Sequence, residues 1–568
     1  MPTIEVKRAD MESLFGERIN EKRLLELLPL VKGELKEWTE DMLKIELNDS
    51  NRPDLWSSEG IVRQCRAHEK GSANSYSFFS QEAKQKIAVS KAVMAIRPYL
   101  GGFLVRGLTI TESVLTQLIQ SQEKLSDIFG QKRKSLSIGL YRLHKIAFPV
   151  LYDVADKETT RFTPLGYDTE MTLAEILKNH PKGVAFGEIL QGHGNVPILM
   201  DSNHQILSFP PIINSREIGE VCVGDTDLLV EVTGTNLRQV MLAVNIFSCN
   251  LADRGGVIEP LTVEFPEETF FGRSVKMPYD FSKPVEVSLG AFEEALGESI
   301  SQDTASSWLT LYGYKIEAQS QKGEGAQAIL SATLPVYRDD VMHPIDIVED
   351  FAISRGYETF VPTLPTTATI GSRSLASKKS ARLADAMIGF GFEEVLSNLL
   401  SSYEEQVDFM GGPSLMNFPE GRIVLIENPM TERYAVPRSW ILPSLLRVEG
   451  ASSKAYYPHR LFEIGEIARM LPLGNDCTTA LHLGAMISHA EANFSELHAV
   501  LSALFYSLSI SLRLIPIAHP SFIDGQAGAI FAGDSAVGFI GAIHPEVLTC
   551  WQIRMPSVAF EIATETLF

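Results

Sequence analysis

Apolar and polar residues alternate along several short runs of this chain, a pattern typical of strands with one buried face. The clearest runs cover residues 3–6, 103–110, 198–200, 206–208 and 228–233. Other segments repeat their apolar residues at helical spacing. The pattern therefore predicts a mixed α/β and α+β multidomain chain.

Helices and one hairpin are predicted with particular boundaries. Helical spacing predicts helices over residues 21–28 and 345–355. Ser57 can cap another helix through its hydroxyl group. Near the end of the chain, Gly533 and Asp534 lie between two apolar runs and predict a hairpin turn.

The length of 568 residues predicts about four domains. A segment beginning at residue 362, PTLPTTATIGSRS, is rich in proline, threonine and serine and is typical of a linker. Together with changes in the strand and helix pattern, this linker gives expected domains over residues 1–95, 96–270, 271–362 and 366–568.

The net charge of −21 results from 50 basic and 71 acidic residues. Because binding to a phosphate backbone depends on basic patches, this charge argues against a chain that grips nucleic acid alone. An acidic chain can instead dock on a basic subunit, although high charge also serves solubility.

The chain is expected to be cytoplasmic and not bound to membranes. It has no apolar run as long as a membrane span, and its N-terminus lacks the apolar core of a signal peptide. Its five cysteines are scattered without CxxC spacing, which predicts a reducing compartment with no disulfide framework and no zinc site.

Several catalytic motifs are absent from the sequence. It has no GxxxxGK(S/T) phosphate loop, no GxGxxG between strand and helix, and no GxSxG nucleophile elbow. No group of histidines has metal-ligand spacing. An enzyme with this sequence is expected to use positioned polar groups and water.

Acidic residues are concentrated where the helix over residues 345–355 begins. Asp346, Glu349 and Asp350 share one helical face, and Asp340 lies in the preceding turn. Carboxylates are ligands for a hard cation such as Mg²⁺, and crowded carboxylates raise one another's pKa. Alternatively, acidic residues in a first turn interact with the helix dipole and bind no metal.

A second polar group lies on the strand predicted over residues 228–233. Glu231 and Thr233 alternate with valines and therefore point to one face of that strand. Gly234 permits a close approach of another backbone. The pattern predicts either a polar pocket or a half-buried strand with its polar side in solvent.

Six motifs resemble the β subunits of phenylalanine–tRNA ligases of the archaeal and eukaryotic cytosolic type. In chain order they are LNDSNRPDLWSSEGI, RPYLGGFLVRGL, ILSFPPIINS with VEVTGT, YRDDVMHPIDIVEDFAISRGY, ENPMTERYAVPRSWILPSLL with HRLFEIGE, and HPSFIDGQAG with IGAIHPEVL. The resemblance extends over essentially all 568 residues. Six motifs in family order are much more specific than any one of them.

The resemblance implies an (αβ)₂ heterotetramer that charges tRNA(Phe) with phenylalanine. The α subunits would form phenylalanyl adenylate and bind most of the ATP. The β subunit would supply a scaffold and hydrolyse mischarged Tyr-tRNA(Phe). By this resemblance the four expected domains are an N-terminal α/β domain, a mixed α+β editing domain, a small α+β domain with the acidic motif, and a degenerate class II synthetase-like antiparallel sheet with helices.

The resemblance also assigns site residues. It implies a Mg²⁺ site formed by Asp340, Asp346, Glu349 and Asp350. It implies an editing pocket formed by Leu199, Ser208, Asn214, Glu231 and Thr233. Two positions depart from the family: relatives also carry an aspartate at the position of Glu231, and Pro437 stands where they carry other apolar residues. Pro437 can disturb local strand pairing.

In such a pocket Glu231 would accept a hydrogen bond from the tyrosine phenol, and Leu199 would pack on the ring. Thr233, Ser208 and Asn214 would position the ester and a water. No strong general base is evident, so catalysis by positioning is expected.

The last expected domain lacks the arginines with which class II ligases bind ATP phosphates. The segment HRLFEIGEIAR carries Glu463, Gly465 and Glu466 in its middle. We expect no adenylate formation by this chain alone. A divergent ATP site that uses Arg460 or Arg469 is the alternative.

Two other functions compete with a ligase subunit that edits. The chain could be a structural subunit whose editing site is inactive, or a free-standing module that binds RNA or protein. The retention of Ser208, Glu231 and Thr233 argues against the first. The net charge of −21 argues against autonomous RNA binding.

Overall fold

The chain divides into two units, Met1–Leu364 and Pro365–Phe568. The computed structural model describes residues 2–48, 51–71, 74–280, 282–319, 328–452, 454–471 and 476–567. Among these residues, no helix combines the length and the apolar character needed to span a membrane.

The first unit is built around sheets. Its strands, in chain order, are β1 Thr3–Lys7, β2 Gly33–Trp38, β3 Met42–Leu47, β4 Gln85–Val89, β5 Tyr99–Arg106, β6 Leu136–Arg142, β7 Val150–Asp156, β8 Arg161–Phe162, β9 Met171–Thr172, β10 Asn195–Met200, β11 Ile206–Phe209, β12 Ile213–Asn214, β13 Leu228–Gly234, β14 Val257–Glu264, β15 Ser274–Met277, β16 Pro284–Ser288, β17 Lys315–Gln319 and β18 Ile329–Thr333. Two small sheets have the orders β1-β3-β2 and β16-β18-β17, and β8 pairs with β9.

The largest sheet contains ten strands. Nine follow the order β12-β11-β10-β7-β4-β14-β5-β13-β6, and β15 pairs with β14 beside this path. β4 precedes residue 96, yet it pairs with β14 and β7. The domain boundary expected between residues 95 and 96 therefore cuts through this sheet, since backbone pairing joins the two segments.

Helices cover the sheets of the first unit. In chain order they are α1 Arg8–Phe15, α2 Glu21–Leu27, α3 Ser58–Lys70, α4 Glu112–Lys124, α5 Leu173–Asn179, α6 Pro181–Phe186, α7 Arg216–Gly219, α8 Leu237–Asp253, α9 Leu289–Leu296, α10 Gln302–Leu311 and α11 Pro344–Arg355. Asn236 caps α8 by accepting a hydrogen bond from the backbone N–H of Gln239, and α8 packs on β5 and β13. α11 packs on α9 and α10 around the buried ring of Phe351.

Most of the predicted elements are confirmed, and one is shifted. Ser57 caps α3 by accepting a hydrogen bond from the N–H of Gly60 at 3.1 Å, as predicted. The strand predicted over residues 103–110 is instead β5, which begins at Tyr99 and ends at Arg106. Gly107 follows with a φ of 64°, a left-handed conformation that interrupts the strand.

The second unit contains one large sheet. Its strands are β19 Glu393–Glu394, β20 Leu400–Ser401, β21 Val436–Pro437, β22 His459–Met470, β23 Cys477–Ser488, β24 Leu512–Pro516, β25 Phe522–Ala532, β26 Ser535–Ile543 and β27 Ser557–Ala563. Its helices are α12 Leu375–Gly389, α13 Tyr403–Gln406, α14 Leu442–Ala451, α15 Phe494–Ser507 and α16 Pro545–Cys550. The sheet order is β19-β22-β23-β27-β26-β25-β24, and every pair except β19–β22 is antiparallel.

Both faces of this sheet are buried. Neighbouring residues of a strand point to opposite faces, and the neighbours Leu461 and Phe462 of β22 belong to different apolar clusters. One cluster includes residues of α14, and the other includes residues of α12 and α15. Gly533, with a φ of 61°, forms the predicted turn between β25 and β26.

Candidate functional site

Glu231 lies in the middle of β13, where it pairs with Gly102 of β5 and Gly139 of β6. Its side chain is only 2% exposed, and Thr233 is fully buried. α8 packs on β13 from the face of the valines, where Val240 lies against Gly234. The interpretation of this strand as having a polar side in solvent is therefore wrong.

Tyr141 of β6 joins three of the predicted pocket residues. Its hydroxyl oxygen lies 2.7 Å from Glu231 Oε2, 2.8 Å from Ser208 Oγ and 3.5 Å from Asn214 Oδ1. Asn214 Nδ2 also donates to the carbonyl oxygen of Leu140 at 3.2 Å. Because β6 and β12 are the two ends of the nine-strand path, these contacts require the sheet to curl until its ends meet.

A cavity of about 230 Å³ opens where the two ends of the sheet meet. Its polar lining includes Ser208, Asn214, Glu231 and Tyr141, with Arg133 and Lys182 among the charged residues around it. Most of the wall is apolar and includes Leu115, Ile119, Ile138, Leu140, Leu165, Phe209, Pro210, Pro211, Ile212, Ile213 and Val221. A mainly apolar cavity with a few convergent polar groups is typical of a small-ligand site.

Two titratable groups in the lining of this cavity, Glu231 and Tyr141, have displaced pKa values. Burial raises the pKa of Glu231 to about 7, although the hydrogen bond from Tyr141 and the charge of Arg97 lower it. Burial and the adjacent Glu231 carboxylate raise the pKa of Tyr141 well above its ordinary value. Tyr141 is therefore a neutral donor near pH 7. Glu231, when ionised, can accept a hydrogen bond from a ligand hydroxyl.

The predicted pocket residues are only partly gathered at this cavity. Ser208, Asn214 and Glu231 line it, whereas Leu199 does not. Leu199 is fully buried on β10, where it pairs with Ser208 of β11 on one side and with Tyr152 of β7 on the other. Leu199 therefore lies one strand behind the cavity wall, on the same face of the sheet as Ser208.

Thr233 also lies outside the cavity lining. Its Oγ1 accepts a hydrogen bond from Arg97 Nε at 3.0 Å and lies 3.1 Å from Ser137 Oγ. Arg97 donates further to the carbonyl oxygen of Thr233 at 2.7 Å. Thr233 thus belongs to a buried network that fixes the end of β13.

Tyr141 and Gly139 are site residues that the sequence analysis missed. A Cβ atom at Gly139 would collide with the Tyr141 hydroxyl and the Glu231 carboxylate, so the glycine makes room for their contact. The sequence does contain a signal, since Ser137, Gly139 and Tyr141 alternate on one face of β6. It does not show that β6 pairs with β13, which places Tyr141 beside a residue 90 positions away.

The four carboxylates of the acidic motif line a second cavity, of about 20 Å³, which has room for about one water molecule. Each of them contacts a group of the protein, beginning with Asp346 and Glu349 of α11. Asp346 Oδ2 accepts hydrogen bonds from the backbone N–H groups of Met342 and His343, both at 2.8 Å, and so caps α11. Glu349 Oε1 pairs with Lys32 Nζ at 2.7 Å.

Arg338 bridges the other two carboxylates. Its buried Nη2 lies 2.6 Å from Asp340 Oδ2 and 2.7 Å from Asp350 Oδ2. Burial alone would raise the pKa of Asp340, but the charge and hydrogen bond of Arg338 outweigh it and lower that pKa. The rise in pKa expected from crowding is therefore wrong for Asp340, because a cation lies between the carboxylates.

Across the described ranges, no three His, Cys, Asp or Glu side chains are gathered as metal ligands. In the acidic cavity, Arg338 and Lys32 supply positive charge to three carboxylates, and the start of α11 engages the fourth. At least one oxygen of each carboxylate already contacts a donor of the protein, so in this arrangement the four carboxylates do not form a ligand set for a Mg²⁺ ion.

The arginines considered for an ATP site in the second unit also have protein partners. Arg460 Nη2 pairs with Glu496 Oε1 at 2.9 Å. Arg469 Nη2 donates to His482 Nε2 at 2.7 Å. Arg460 therefore links β22 to α15, and Arg469 links β22 to β23.

Two further predictions concern β22 and β21. Glu463 is buried and pairs with Arg438 at 2.7 Å, and a Cβ atom at Gly465 would collide with that guanidinium. Pro437 pairs with Leu400, so strand pairing persists at the proline but extends over only two residues. Short pairing at a proline is expected, because proline lacks the N–H donor.

Comparison with known proteins assigns the chain to a family. Residues 285–357 match the family described as tRNA synthetase B5 domain, and residues 361–564 match the Phenylalanyl tRNA synthetase beta chain CLM domain. The phenylalanine–tRNA ligase beta subunit of Borrelia hermsii is 37% identical, with 99% of each chain covered. This chain belongs to the phenylalanine–tRNA ligase β subunit family.

Other members of the phenylalanine–tRNA ligase β subunit family agree with this assignment. The Borreliella burgdorferi (strain ZS7) protein is 34% identical, with 99% of this chain and 98% of the relative covered. A crystal structure is also similar, that of an N-terminal fragment of the phenylalanyl-tRNA synthetase beta subunit from Pyrococcus horikoshii. The fragment has 35% sequence identity to this chain and a TM-score of 0.57, and the match covers 63% of this chain and all of the fragment. The four carboxylates of the acidic cavity lie within the segment that matches the B5 family. The residues that line the cavity beside Glu231 come before both matched segments in the chain.

Proposed function

We propose that this chain works with an α subunit in the ATP-dependent charging of tRNA(Phe) with phenylalanine, and that it hydrolyses mischarged Tyr-tRNA(Phe) in its own cavity. The observation that carries the editing proposal is a buried carboxylate, Glu231, in the lining of an otherwise mainly apolar cavity. A carboxylate in such surroundings is costly unless a ligand or neighbour donates to it.

The need for editing follows from the substrates. Tyrosine differs from phenylalanine by one hydroxyl, and an apolar pocket rejects an added hydroxyl by only about a hundredfold. A site that binds the hydroxyl discriminates better, because phenylalanine leaves its buried polar groups unpaired. Glu231 supplies such a group, and this cavity would therefore select the tyrosyl ester for hydrolysis.

We assign roles by position in the cavity. Glu231 accepts the hydrogen bond of the substrate phenol, while the apolar wall encloses the ring. Ser208 and Asn214 line the same cavity and orient the ester and the attacking water. Hydrolysis then depends on positioning and polarisation of that water. Leu199 and Thr233 act indirectly by holding β10 and β13 in place.

The charging reaction is assigned to the partner. The α subunit would bind ATP with Mg²⁺ and form the adenylate, within a cytoplasmic (αβ)₂ heterotetramer. The second unit of this chain would be a class II synthetase-like scaffold, supported by its mostly antiparallel sheet flanked by helices. The pairing of Arg460 with Glu496 and of Arg469 with His482 supports a unit without adenylate chemistry.

For the acidic motif, our proposal of Mg²⁺ binding is limited to the assembled ligase. Glu349 is exposed and pairs with Lys32, which is itself partly exposed. A partner subunit could therefore release this carboxylate, and Mg²⁺ binding at the motif is proposed only for the assembled ligase.

We also place the chain with the archaeal and eukaryotic cytosolic type of this subunit. The Pyrococcus horikoshii fragment supports this placement, because it matches over its entire length at 35% identity. The curated relatives from Borrelia are bacterial, so this proposal concerns the type of sequence and not the source organism.

The decisive experiment is deacylation of purified Tyr-tRNA(Phe) by the chain assembled with its α subunit. Glu231→Ala should slow hydrolysis by about ten- to a hundredfold, since a hydrogen bond to a charged group contributes roughly 1.5–3 kcal/mol. Synthesis of Phe-tRNA should stay nearly unchanged. Glu264→Ala, which removes a half-exposed glutamate of β14, is the matched control and should leave both activities intact.

Three outcomes would contradict this proposal. Absence of Tyr-tRNA hydrolysis in the unaltered complex would favour a structural subunit with an inactive editing site. An equal loss of editing and charging in Glu231→Ala would show a folding or assembly role for Glu231. Failure of the chain to co-purify with an α subunit would remove the ligase assignment itself.

A further inference from the structure

The cavity already contains a phenol of its own. Tyr141 is fully buried, and its hydroxyl lies 2.7 Å from Glu231 Oε2, the carboxylate assigned to the substrate phenol. The same hydroxyl lies 2.8 Å from Ser208 Oγ and 3.5 Å from Asn214 Oδ1. One side chain therefore contacts every polar residue to which the proposed editing reaction assigns a direct role.

We propose that Tyr141 is the positioning residue of this cavity: its hydroxyl, which donates to Glu231 and also contacts Ser208, holds these two side chains in one arrangement beside Asn214, and the substrate phenol joins it on the Glu231 carboxylate without displacing it. This inference rests on the proposed editing function. It adds a specificity-determining group that lies 90 positions from Glu231 in the chain.

The geometry around Gly139 supports a fixed contact. Gly139 pairs with Glu231 across β6 and β13, and a Cβ atom there would collide with both the Tyr141 hydroxyl and the Glu231 carboxylate. The absence of that one carbon lets the two oxygens meet. A carboxylate has about four acceptor sites on its two oxygens, so one internal phenol leaves capacity for a second.

The position of Tyr141 explains why one hydroxyl can order the whole cavity. Glu231 and Tyr141 belong to β13 and β6, at one end of the curled sheet, whereas Ser208 and Asn214 belong to β11 and β12 at the other. The described backbone pairing does not join β6 to β12. Side-chain contacts from Tyr141 and Asn214 bridge the two ends, so loss of the hydroxyl should loosen the polar lining without opening the sheet.

The surroundings of Glu231 fix the direction of a pH effect. The groups that influence its ionisation are Tyr141 of β6, Arg97 before β5 and Thr233 of β13. Tyr152 of β7 is kept neutral near pH 7, because burial raises its pKa. The hydrogen bond of Tyr141 and the charge of Arg97 both favour the ionised form. Removing the Tyr141 hydroxyl therefore raises the pKa of Glu231, and the pH at which the carboxylate forms moves upward.

The first test compares Tyr141→Phe with Tyr152→Phe in the assembled ligase. Both variants lose one buried hydroxyl from the same sheet, but that of Tyr152 donates to the carbonyl oxygen of Arg97 at 3.0 Å and not to the cavity. Tyr141→Phe should lower kcat for Tyr-tRNA hydrolysis by about tenfold or more at pH 7, as expected for a hydrogen bond to a charged group. KM should change little, and the rise of the rate with pH should move to higher pH. Tyr152→Phe should keep the pH profile of the unaltered enzyme.

Specific results would overturn the inference. An unchanged rate and pH profile in Tyr141→Phe would show that the hydroxyl positions nothing. A lower KM would show that Tyr141 competes with the substrate phenol instead of sharing the carboxylate with it. Tyr-tRNA hydrolysis that depends on Glu231 but is indifferent to Tyr141 would leave the editing function intact and remove only the role of Tyr141.

A second measurement does not depend on activity. Infrared titration of the full-length chain, with the Glu231 carboxyl band assigned from Glu231→Gln, should give a higher midpoint in Tyr141→Phe than in the unaltered chain. An equal or lower midpoint would overturn the contact between the two groups. If the complex does not hydrolyse Tyr-tRNA at all, this titration still decides whether Tyr141 controls Glu231.

Discussion

Two cavities in the first unit contain buried or partly buried carboxylates, and the neighbours of these carboxylates differ. Glu231 lies against the hydroxyl of Tyr141, and burial raises its pKa to about 7. In the acidic cavity, Asp340 and Asp350 share the guanidinium of Arg338, and the pKa of Asp340 falls below its ordinary value. The hydrogen bond of Tyr141 and the charge of Arg97 do not outweigh the burial of Glu231, whereas the charge and hydrogen bond of Arg338 outweigh the burial of Asp340.

The difference gives the two carboxyl groups opposite effects on stability. The folded-state pKa of Glu231 is raised, so its contribution to stability is complete below its unfolded pKa and is lost as pH rises through about 7. The folded-state pKa of Asp340 is lowered, so its contribution is present above its unfolded pKa and is lost as pH falls. At high pH the ionised Glu231 therefore lowers the stability of the fold, whereas the ionised Asp340 adds to it.

The largest expected effect tests the role of Arg338 as an internal cation. Arg338→Met leaves Asp340 and Asp350 without their shared partner and should lower the free energy of unfolding of the first unit by roughly 3–5 kcal/mol. Urea unfolding of the full-length chain measures it. Arg106→Met, which breaks a partly exposed pairing with Asp227, is the control and should cost less than about 1 kcal/mol. Equal costs would contradict the comparison.

A smaller effect concerns the charge of Glu231. A pKa of about 7 in place of the ordinary 4.5 corresponds to about 3 kcal/mol at high pH, at about 1.36 kcal/mol per pKa unit. Glu231→Gln should therefore be more stable than the unaltered chain above pH 7, with an advantage that shrinks as pH falls toward 4.5. Thermal unfolding across this pH range is the measurement. A difference that does not vary with pH would mean that the carboxyl group is not displaced as described.

The smallest effect concerns Mg²⁺. Because Arg338 and Lys32 already pair with the acidic motif, Mg²⁺ should leave the unfolding midpoint of the full-length chain unchanged. A site with a Kd of about 1 mM would instead add about 1.4 kcal/mol at about 10 mM Mg²⁺. Lys32→Ala frees Glu349 and should permit at most a weak response. Strong stabilisation of the unaltered chain would restore a metal site formed by this chain alone.

Sequence patterns predicted the elements that position both sites. Alternation placed β13 and directed Glu231 and Thr233 to one face, and the spacing around residues 345–355 located α11. Local signals were sufficient there because strand alternation and helix capping depend on near neighbours in the chain. The acidic residues were also correctly grouped at one cavity.

The contacts that decide the chemistry come from chain segments that the sequence does not relate to one another. Tyr141 reaches Glu231 only because β6 pairs with β13, and it reaches Ser208 only because the sheet curls until its ends meet. Arg338 was visible two residues before Asp340, but nothing in a linear pattern shows that its guanidinium is buried between two carboxylates. Local spacing therefore identified the carboxylates but not the neighbouring groups that shift their pKa values.

The position of β13 between β5 and β6 affects hydrogen exchange at the cavity and its loss on heating. Each residue from Leu228 to Gly234 is paired on both sides, so the backbone there is opened only by separating strands in the middle of the sheet. Amide hydrogens of this strand should exchange with solvent no faster than the sheet opens. A slip of one residue in its register would turn Glu231 to the opposite face. Small shifts of this strand would therefore break its pairing on both sides. On heating, editing should be lost when the sheet unfolds and not earlier through the loosening of a loop.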